Sequence, residues 1–520
     1  MAEQGLIREG AIHGTRPSDD EPLEPVAATP PGEVATVVDA VRAAQQAHAA
    51  RDVEDRARLL RRFRDAVMAR GDALVAALGD EVGKPEAEAW LHEVMPTSAL
   101  ASYWCGEGPE LLAAHEPHLD GLDYPGKRAV VERAPRGVVA LITPWNFPVA
   151  IPLRTLFPAL LAGDGVVWKP SEHAPRCANL IAEAAREVYG PDLVRVVHGA
   201  GDVGAASIKG GVDAVIFTGS VATGKKVAHA AADALVPASL ELGGKDAAVV
   251  LDDADVERAA RGILWGAMAN VGQNCAAVER VYALPKVSGA FAERLAALAG
   301  ELRPGRDFGP LATADQLATV ERHVAAAREG GWRVLTGGHR LDRAGRWYAP
   351  TVLTPGEAAD AETNPAVVEE TFGPVVPVME VPDEASAIAA ANASSYGLTA
   401  SVWTRNLARG ERVARQIAAG VVVVNNHGFT GAIPSLPWTG VRASGYGVTN
   451  SPHALDVLTR PRAIVVDARR AKRELWWHPY TPALVRIGRA MSTLRRGGAG
   501  LVTKLRALVA LLAAFPKRWR

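Results

Sequence analysis

The sequence predicts an α/β fold with two open, Rossmann-like sheets, and three observations carry that prediction. From Gly137 onward, short β-branched runs alternate with Ala-rich helical stretches of roughly 12–20 residues, the rhythm of βαβ units on a parallel sheet. The same rhythm starts again after Lys245, so it is laid down twice. At 520 residues the chain is also too long for one ordinary core, and two or more domains are expected.

Taken in order, residues 1–30 are polar and Pro-rich without a visible period, and read as a loose lead-in. Val34, Val37, Val38 and Val41 then recur at helical spacing, as do Leu59, Leu60, Phe63 and Val67. Val138 to Ile142, Val166 to Trp168, Val194 to Val197 and Val215 to Phe217 are the strands expected of a first sheet. Ala247 to Leu251, Val334 to Leu335 and Val421 to Val424 are those expected of a second. Lys127 to Arg133 and Arg462 to Asp467 look like strands that belong to neither sheet.

Composition narrows the function classes. A hydrophobic fraction of 48% with 22% charged residues excludes a disordered chain. Three cysteines, Cys105, Cys177 and Cys275, are too few and too scattered for a disulfide framework, and none has zinc-ligand spacing, so no metal is expected. The first thirty residues hold no apolar run of the signal-peptide kind, which points to the cytoplasm.

Chemistry concentrates in four segments. Cys275 closes Ala269-Asn270-Val271-Gly272-Gln273-Asn274-Cys275, with Gly272, Ala276 and Ala277 leaving room at the sulfur. Upstream lies Glu241-Leu242-Gly243-Gly244-Lys245. A lone cysteine is usually a small buried hydrophobe. With a carboxylate upstream it suggests instead a thiol nucleophile and a general base, the pair that acyl chemistry needs. Thr143-Pro144-Trp145-Asn146-Phe147-Pro148 and Glu370-Thr371-Phe372-Gly373-Pro374 complete the set. In this order and at these spacings the four segments resemble the aldehyde dehydrogenase superfamily, over roughly 29–467.

The resemblance implies roles for single residues. Cys275 matches the nucleophile, Glu241 the base that activates water, and Asn146 the side-chain donor to the oxyanion. A glutamate is a weak base at its ordinary pKa, so partial burial by Leu242, Gly243 and Gly244 is expected to raise it. For the dinucleotide, Thr143, Pro144 and Trp145 lie on the turn that carries Asn146. Lys169 and Glu172 match the adenosine-ribose site, and Gly219, Ser220 and Gly224 form a strand-to-helix turn suited to phosphate. Gly201, in a G-x-G-x-x-G match, is the weaker phosphate candidate, and Glu370 and Phe372 match the nicotinamide side. A carboxylate at position 172 would repel a 2′-phosphate, so NAD is expected over NADP.

The family's Pro-Phe-Gly-Gly-x-Lys-x-Ser-Gly segment appears here as Pro437-Trp438-Thr439-Gly440-Val441-Arg442-Ala443-Ser444-Gly445, a departure that leaves the aldehyde unassigned. Trp438, Asn426, His427 and Phe429 are the residues expected at the substrate entrance.

The resulting organisation is a dinucleotide domain of 31–126 and 137–245, a catalytic domain of 246–445, and an arm of 127–136 and 446–467 that the resemblance docks on another subunit of a homodimer or homotetramer. After it, 468–520 form a basic tail: thirteen Lys and Arg against Glu474 give +12, and the whole chain's −1 leaves −13 for the rest. Arg469, Arg470, Lys472 and Arg473 flank Trp476-Trp477-His478-Pro479-Tyr480. Leu484, Ile487, Met491 and Leu494 form one apolar stripe, and Leu501, Val502, Leu505, Leu508, Val509, Leu512 and Phe515 another. An anionic membrane surface and packing on the enzyme or a partner subunit both suit this pattern, whereas nucleic acid has no use for the stripes. Two alternatives to a thioester-hydrolysing dehydrogenase stay open: a CoA-acylating relative, which Glu241 argues against, and an idle membrane-associated scaffold.

Overall fold

The structure, a computed structural model, describes residues 5–121, 123–357, 359–360, 363–469 and 472–518; Arg470 of the basic cluster lies outside them. Two compact units result, Met1–Ala113 with Glu132–Arg462, and Ala114–Val131 with Ala463–Arg520.

The first unit holds both expected sheets. Strands β1 (Val138–Ile142), β2 (Gly165–Lys169), β3 (Val194–Val196), β4 (Ala214–Thr218) and β5 (Ala238–Glu241) are parallel to their neighbours. β1 and β2 are buried at every position, as parallel strands covered on both faces must be. Val34, Val38 and Val41 of helix Val34–Ala49 close one face, while Leu60, Phe63, Leu156 and Phe157 fill the other.

The second sheet contains β6 (Asp246–Val250), β7 (Val278–Ala283), β8 (Trp332–Thr336), β9 (Thr351–Pro355), β10 (Val375–Glu380), β11 (Thr399–Trp403) and β12 (Val421–Val424), in the order β8-β9-β10-β7-β6-β11-β12. Only the β8–β9 edge pair is antiparallel. A short strand, β13 (Gly445–Tyr446), returns to the first sheet and pairs antiparallel with β5, giving the order β13-β5-β4-β1-β2-β3.

That order places the site. The chain runs from β1 outward through β2 and β3 on one side, and through β4 and β5 on the other, so the connection reverses between β1 and β4. Ligands of open α/β sheets bind outside the carboxyl ends of the strands at such a reversal. Thr143, Lys169, Gly219 and Glu241 stand at or just past the carboxyl ends of β1, β2, β4 and β5.

The lead-in departs from expectation. Residues 5–30 are tied down, with Ile7–Arg8, Ala11–Ile12 and Val26–Ala27 forming a three-stranded sheet and Ile12 fully buried. Trp347 Nε1 donates to the Ser18 carbonyl at 2.9 Å, and Arg346 pairs with Asp20 at 2.8 Å. Strands of two residues are too short to show a period, and the Ser18–Asp20 turn between them is held by residues more than three hundred positions away.

In the second unit, helices Pro482–Arg495 and Leu501–Arg518 pack on each other. The expected arm strands also pair: Lys127–Pro135 and Thr459–Asp467 form a two-stranded sheet. Among the described residues no helix is long and apolar enough to cross a membrane.

Candidate active site

Glu241 ends β5 and is followed by Gly243-Gly244, where neighbours occupy the space a Cβ would need. The Glu370 carboxylate lies over Gly243, and the Cys275 backbone carbonyl lies over Gly244. Gly244 N–H donates to Glu370 Oε1 at 2.8 Å. The glycine pair therefore lets the end of β5, the cysteine turn and the Glu370 segment converge.

Cys275 follows helix Val256–Met268 through a sharp turn in which Asn270 (φ 54°), Val271 (φ 51°) and Gly272 (φ 73°) are all left-handed. Two consecutive non-glycine residues in that region store strain and need outside support. Buried polar groups supply it. Asn270 N–H donates to Glu88 Oε1 at 3.0 Å, and its side-chain amide to the carbonyls of Asn146 (2.9 Å) and Gln273 (3.0 Å). Lys84 Nζ donates to the same Asn146 carbonyl at 3.0 Å while paired with Glu93 at 2.6 Å, both side chains wholly buried.

Asn146 sits on the turn after β1. One N–H of its amide donates to the Gln273 carbonyl at 3.2 Å, which fixes the amide two residues from Cys275, and its Oδ1 is buried without a partner. The Asn146 turn is also joined to the Trp168–Lys169 strand end and to Phe372. Thr143 Oγ1 accepts from Trp168 Nε1 at 2.9 Å, and Trp145 packs edge-on against Phe372 at 5.6 Å. Pro144 lies between them.

Cys275 and Glu241 meet in a cavity of about 460 Å³. Its walls are largely apolar, with Leu91, Met95, Phe147, Ile151, Trp265 and Phe429 among them. Burial pushes the Cys275 thiol well above its ordinary range, and the negative charge of the nearby Glu241 carboxylate pushes it further; the thiol itself donates to Asn274 Oδ1 at 3.8 Å. Burial also raises Glu241. The neighbouring Cys275, the charge of Arg154 and the hydrogen bond from Trp438 oppose the rise. At rest, then, a thiol of raised pKa shares its cavity with a carboxyl of raised proton affinity.

Two of these partners are not where the sequence put them, or were not seen in it. Trp438 is buried at the cavity wall rather than at the entrance, its indole N–H on Glu241 Oε1 at 3.3 Å. Ser444 Oγ donates to the Gly243 carbonyl at 2.7 Å, so the divergent segment is fastened directly to the glutamate strand. Arg154 stacks over the Trp438 ring at 5.5 Å, and among the described residues it makes neither hydrogen bond nor ion pair. Nothing in the apolar helix Ala150–Ala162 marks it out. Phe429 does line the cavity. His427 does not: its Nε2 is bonded to the Ala276 carbonyl at 2.8 Å in the core, and Asn426 lines a separate groove.

The cofactor candidates split into groups. Lys169 and Glu172 are both buried and pair with each other at 3.0 Å. Ser220 caps helix Val221–Asp233 by accepting from Thr223 N–H at 3.3 Å, and Gly219 N–H donates to the Glu241 carbonyl at 3.0 Å. Gly224 abuts Leu242. Glu370 is pushed up to about 8, first by burial and then by the Glu279 carboxylate. Glu279, which sequence reasoning missed, pairs with Lys245 at 2.6 Å and accepts the backbone N–H groups of Thr371 (2.7 Å) and Phe372 (2.8 Å). Gly201 begins helix Gly201–Lys209 and makes no hydrogen bond to any of these residues. Cys105 and Cys177 are buried packing residues, as expected. Among the described residues, no group of three His, Cys, Asp or Glu is placed to hold a metal.

The aldehyde dehydrogenase family profile matches residues 7–464. The chain belongs to the aldehyde dehydrogenase family. A Mycolicibacterium smegmatis protein named as a proposed succinate-semialdehyde dehydrogenase [NADP(+)] is 38% identical over 426 residues, covering 80% of this chain and 81% of the relative. The 4,4'-diapolycopene aldehyde oxidase of Methylomonas sp is 37% identical over 423 residues, 79% of this chain and 77% of its own. PnpE of Pseudomonas sp. WBC-3, also solved with nicotinamide adenine dinucleotide, superposes with a TM-score of 0.85 at 32% identity, covering 90% of this chain and 96% of PnpE. This aldehyde dehydrogenase is thus an enzyme that oxidises aldehydes with NAD(P), its fold the two-sheet fold of its relatives. Nothing in these likenesses points to a CoA-acylating enzyme.

Proposed function

We propose that this aldehyde dehydrogenase oxidises an apolar aldehyde to its carboxylic acid, with Cys275 as nucleophile, Glu241 as base and Asn146 as oxyanion donor. The observation that carries the reading is that Cys275 and a buried Glu241 of raised proton affinity line the same apolar cavity. As sulfur bonds to the aldehyde carbon, the thiol proton passes to Glu241 and the carbonyl oxygen becomes an alkoxide. Asn146 spends one N–H on the Gln273 carbonyl; its second N–H and the Cys275 backbone N–H are the donors for that oxygen. NAD(P)+, when bound, supplies the two-electron acceptor that converts the thiohemiacetal to a thioester. Glu241, having released its proton, then deprotonates water; hydroxide adds to the thioester carbon, the C–S bond breaks, and the acid leaves.

The dinucleotide fits the residues present. The buried Lys169–Glu172 pair would hold the adenosine ribose, and Gly219, Ser220 and the amino end of helix Val221–Asp233 the phosphates. Glu370 and Phe372 would flank the nicotinamide side, with Thr143, Pro144 and Trp145 shaping the turn between them and Asn146. Gly224 sets that helix close against Leu242, and Gly201 remains the weaker phosphate candidate. NAD is the preferred form in this reading because Glu172 would repel a 2′-phosphate. PnpE was solved with NAD, whereas the M. smegmatis relative carries NADP(+) in its name.

The test is NADH formation from aldehyde without CoA. Cys275→Ala is expected to abolish it while NAD binding persists. Glu241→Gln is expected to give a burst of about one NADH per site and then slow turnover. Residual steady-state activity in Cys275→Ala, or wild-type turnover in Glu241→Gln, overturns the assignment. A higher kcat/KM with NADP than with NAD overturns the cofactor preference.

A second substrate reading has its own observation. Arg154 lines the cavity beside Cys275 and Glu241 without an ion pair or hydrogen bond among the described residues, which suits a carboxylate-bearing semialdehyde such as the M. smegmatis relative's name describes. Arg154→Met separates the two readings: semialdehyde turnover falls far more than apolar-aldehyde turnover if Arg154 holds a substrate carboxylate, and both fall alike if it acts only on Glu241.

The reading places the enzyme in the cytoplasm as a homodimer or homotetramer. The exposed Ile464, Val465 and Val466 of the arm would dock on another subunit, and the tail would face an anionic membrane.

A further inference from the structure

Helix Leu501–Arg518 is turned the opposite way from an ordinary surface helix. Apart from Arg518 at its end, its buried face is small: Ala507 and Ala514 are buried, against a partner helix that buries Ala483, Ile487 and Ala490. Its large apolar residues point out. Leu501 is 81% exposed, Leu505 61%, Val509 63% and Leu512 65%, with Val502 and Leu508 beside them. The 3–4 residue spacing makes these one continuous stripe rather than scattered leucines.

Basic groups border the stripe. Arg506 follows Val502 by four positions and precedes Val509 by three, so it stands on the edge of the apolar face. It also lines a groove of about 350 Å³ between the two helices together with Arg486, Arg489, Thr493 and Thr503. Among the described residues none of the three arginines has an acidic partner. The tail's one acid, Glu474, is held by Arg469 at 2.7 Å and Lys127 at 3.3 Å.

We propose that the second unit docks on an anionic phospholipid bilayer, the Leu501–Leu512 face entering the acyl boundary and the Arg486/Arg489/Arg506 groove taking headgroup phosphates. This deepens the membrane-facing reading of the tail, and rests on it. Charge selects the occupant. A second copy would bring two tails of +12 together, whereas anionic headgroups neutralise them. Trp476, Trp477 and Tyr480, all exposed, are residues that favour the interfacial layer. No helix among the described residues is fit to span, so the helix lies in the surface plane.

The experiment uses full-length protein and vesicle flotation, with oligomeric state by light scattering and NADH formation from a short soluble aldehyde measured alongside. The protein is expected to float with phosphatidylcholine/phosphatidylglycerol vesicles, not with phosphatidylcholine alone, and to release in high salt. Leu505→Glu/Leu512→Glu alters two exposed positions and is expected to weaken binding by about tenfold or more while helicity, oligomeric state and soluble-aldehyde activity stay unchanged. Arg486→Gln/Arg489→Gln is expected to weaken it by about thirtyfold. Flotation that survives both variants leaves the tail at the membrane but refutes this face and groove. No flotation of the wild type, or equal flotation on neutral lipid, refutes the membrane reading itself. Loss of oligomer in Leu505→Glu/Leu512→Glu makes the stripe a subunit interface and overturns the proposal. In every case dehydrogenase activity on the soluble aldehyde reports separately on the catalytic assignment.

Discussion

Glu241 holds a balance that one neighbour tips. Burial raises its proton affinity, and the Trp438 indole N–H at 3.3 Å stabilises its ionised form and so lowers it. Only ionised Glu241 can take a proton from water, so turnover should fall as pH drops through its raised pKa. Trp438→Phe keeps the ring but removes the donor. The acidic limb of the kcat–pH profile should then move to higher pH, and an unmoved limb would mean the indole does not act on Glu241. Asn146→Ala should lower kcat by about 10²–10³-fold, the usual cost of one lost oxyanion donor, with KM for NAD unchanged. Cys275 and Glu241, which line one cavity, were picked out as candidates by the order and spacing of four segments. Arg154 was not, since one arginine in the apolar helix Ala150–Ala162 reads as its solvated edge. His427 failed for the converse reason: a polar residue beside Phe429 looked exposed, yet its ring satisfies a core carbonyl.

At the scale of elements, the strands read from β-branched runs, such as Val138 to Ile142 and Val421 to Val424, are present within a residue or two. Several strands were missed, and β7 is the instructive case. Glu279 and Arg280 interrupt its apolar pattern, yet both are buried, because Glu279 pairs with Lys245 and Arg280 caps backbone carbonyls of Lys245, Ala390 and Ala391. Such a strand shows neither period nor apolar run. Its charge has a purpose, since Glu279 pins Thr371 and Phe372, and Phe372 is left-handed (φ 51°). Glu279→Gln should leave Lys245 buried without its counter-charge and cost about 3–5 kcal/mol in thermal or urea unfolding. It should also raise KM for NAD as the Glu370–Phe372 segment loosens. A destabilised protein with unchanged KM would limit Glu279 to structure. Gly244→Ala tests the convergence itself: a methyl there meets the Cys275 carbonyl, so kcat should collapse even in folded protein.

The whole molecule is split in charge as well as in structure, and the two splits nearly coincide. Residues 468–520 carry +12 and the remainder −13, while every residue proposed for catalysis or cofactor binding lies in the first unit. The tail's two helices were legible from their apolar spacing. Which face turned inward was not, because spacing locates a stripe without saying whether alanine on another face packs better. A chain ending at Asp467 keeps the entire first unit and loses both helices. Its kcat on a short, soluble aldehyde should equal that of the full chain, followed as NADH absorbance. Long apolar aldehydes partition into bilayers, so with substrate carried in anionic vesicles the full chain gains local concentration that the shortened one lacks. Body and bilayer then share a sign, and repulsion adds to the loss. The rate on vesicle-borne aldehyde should therefore drop while the soluble rate holds, and the difference should shrink as salt rises. Equal losses on both substrates would show instead that the first unit needs the tail to stay folded or assembled.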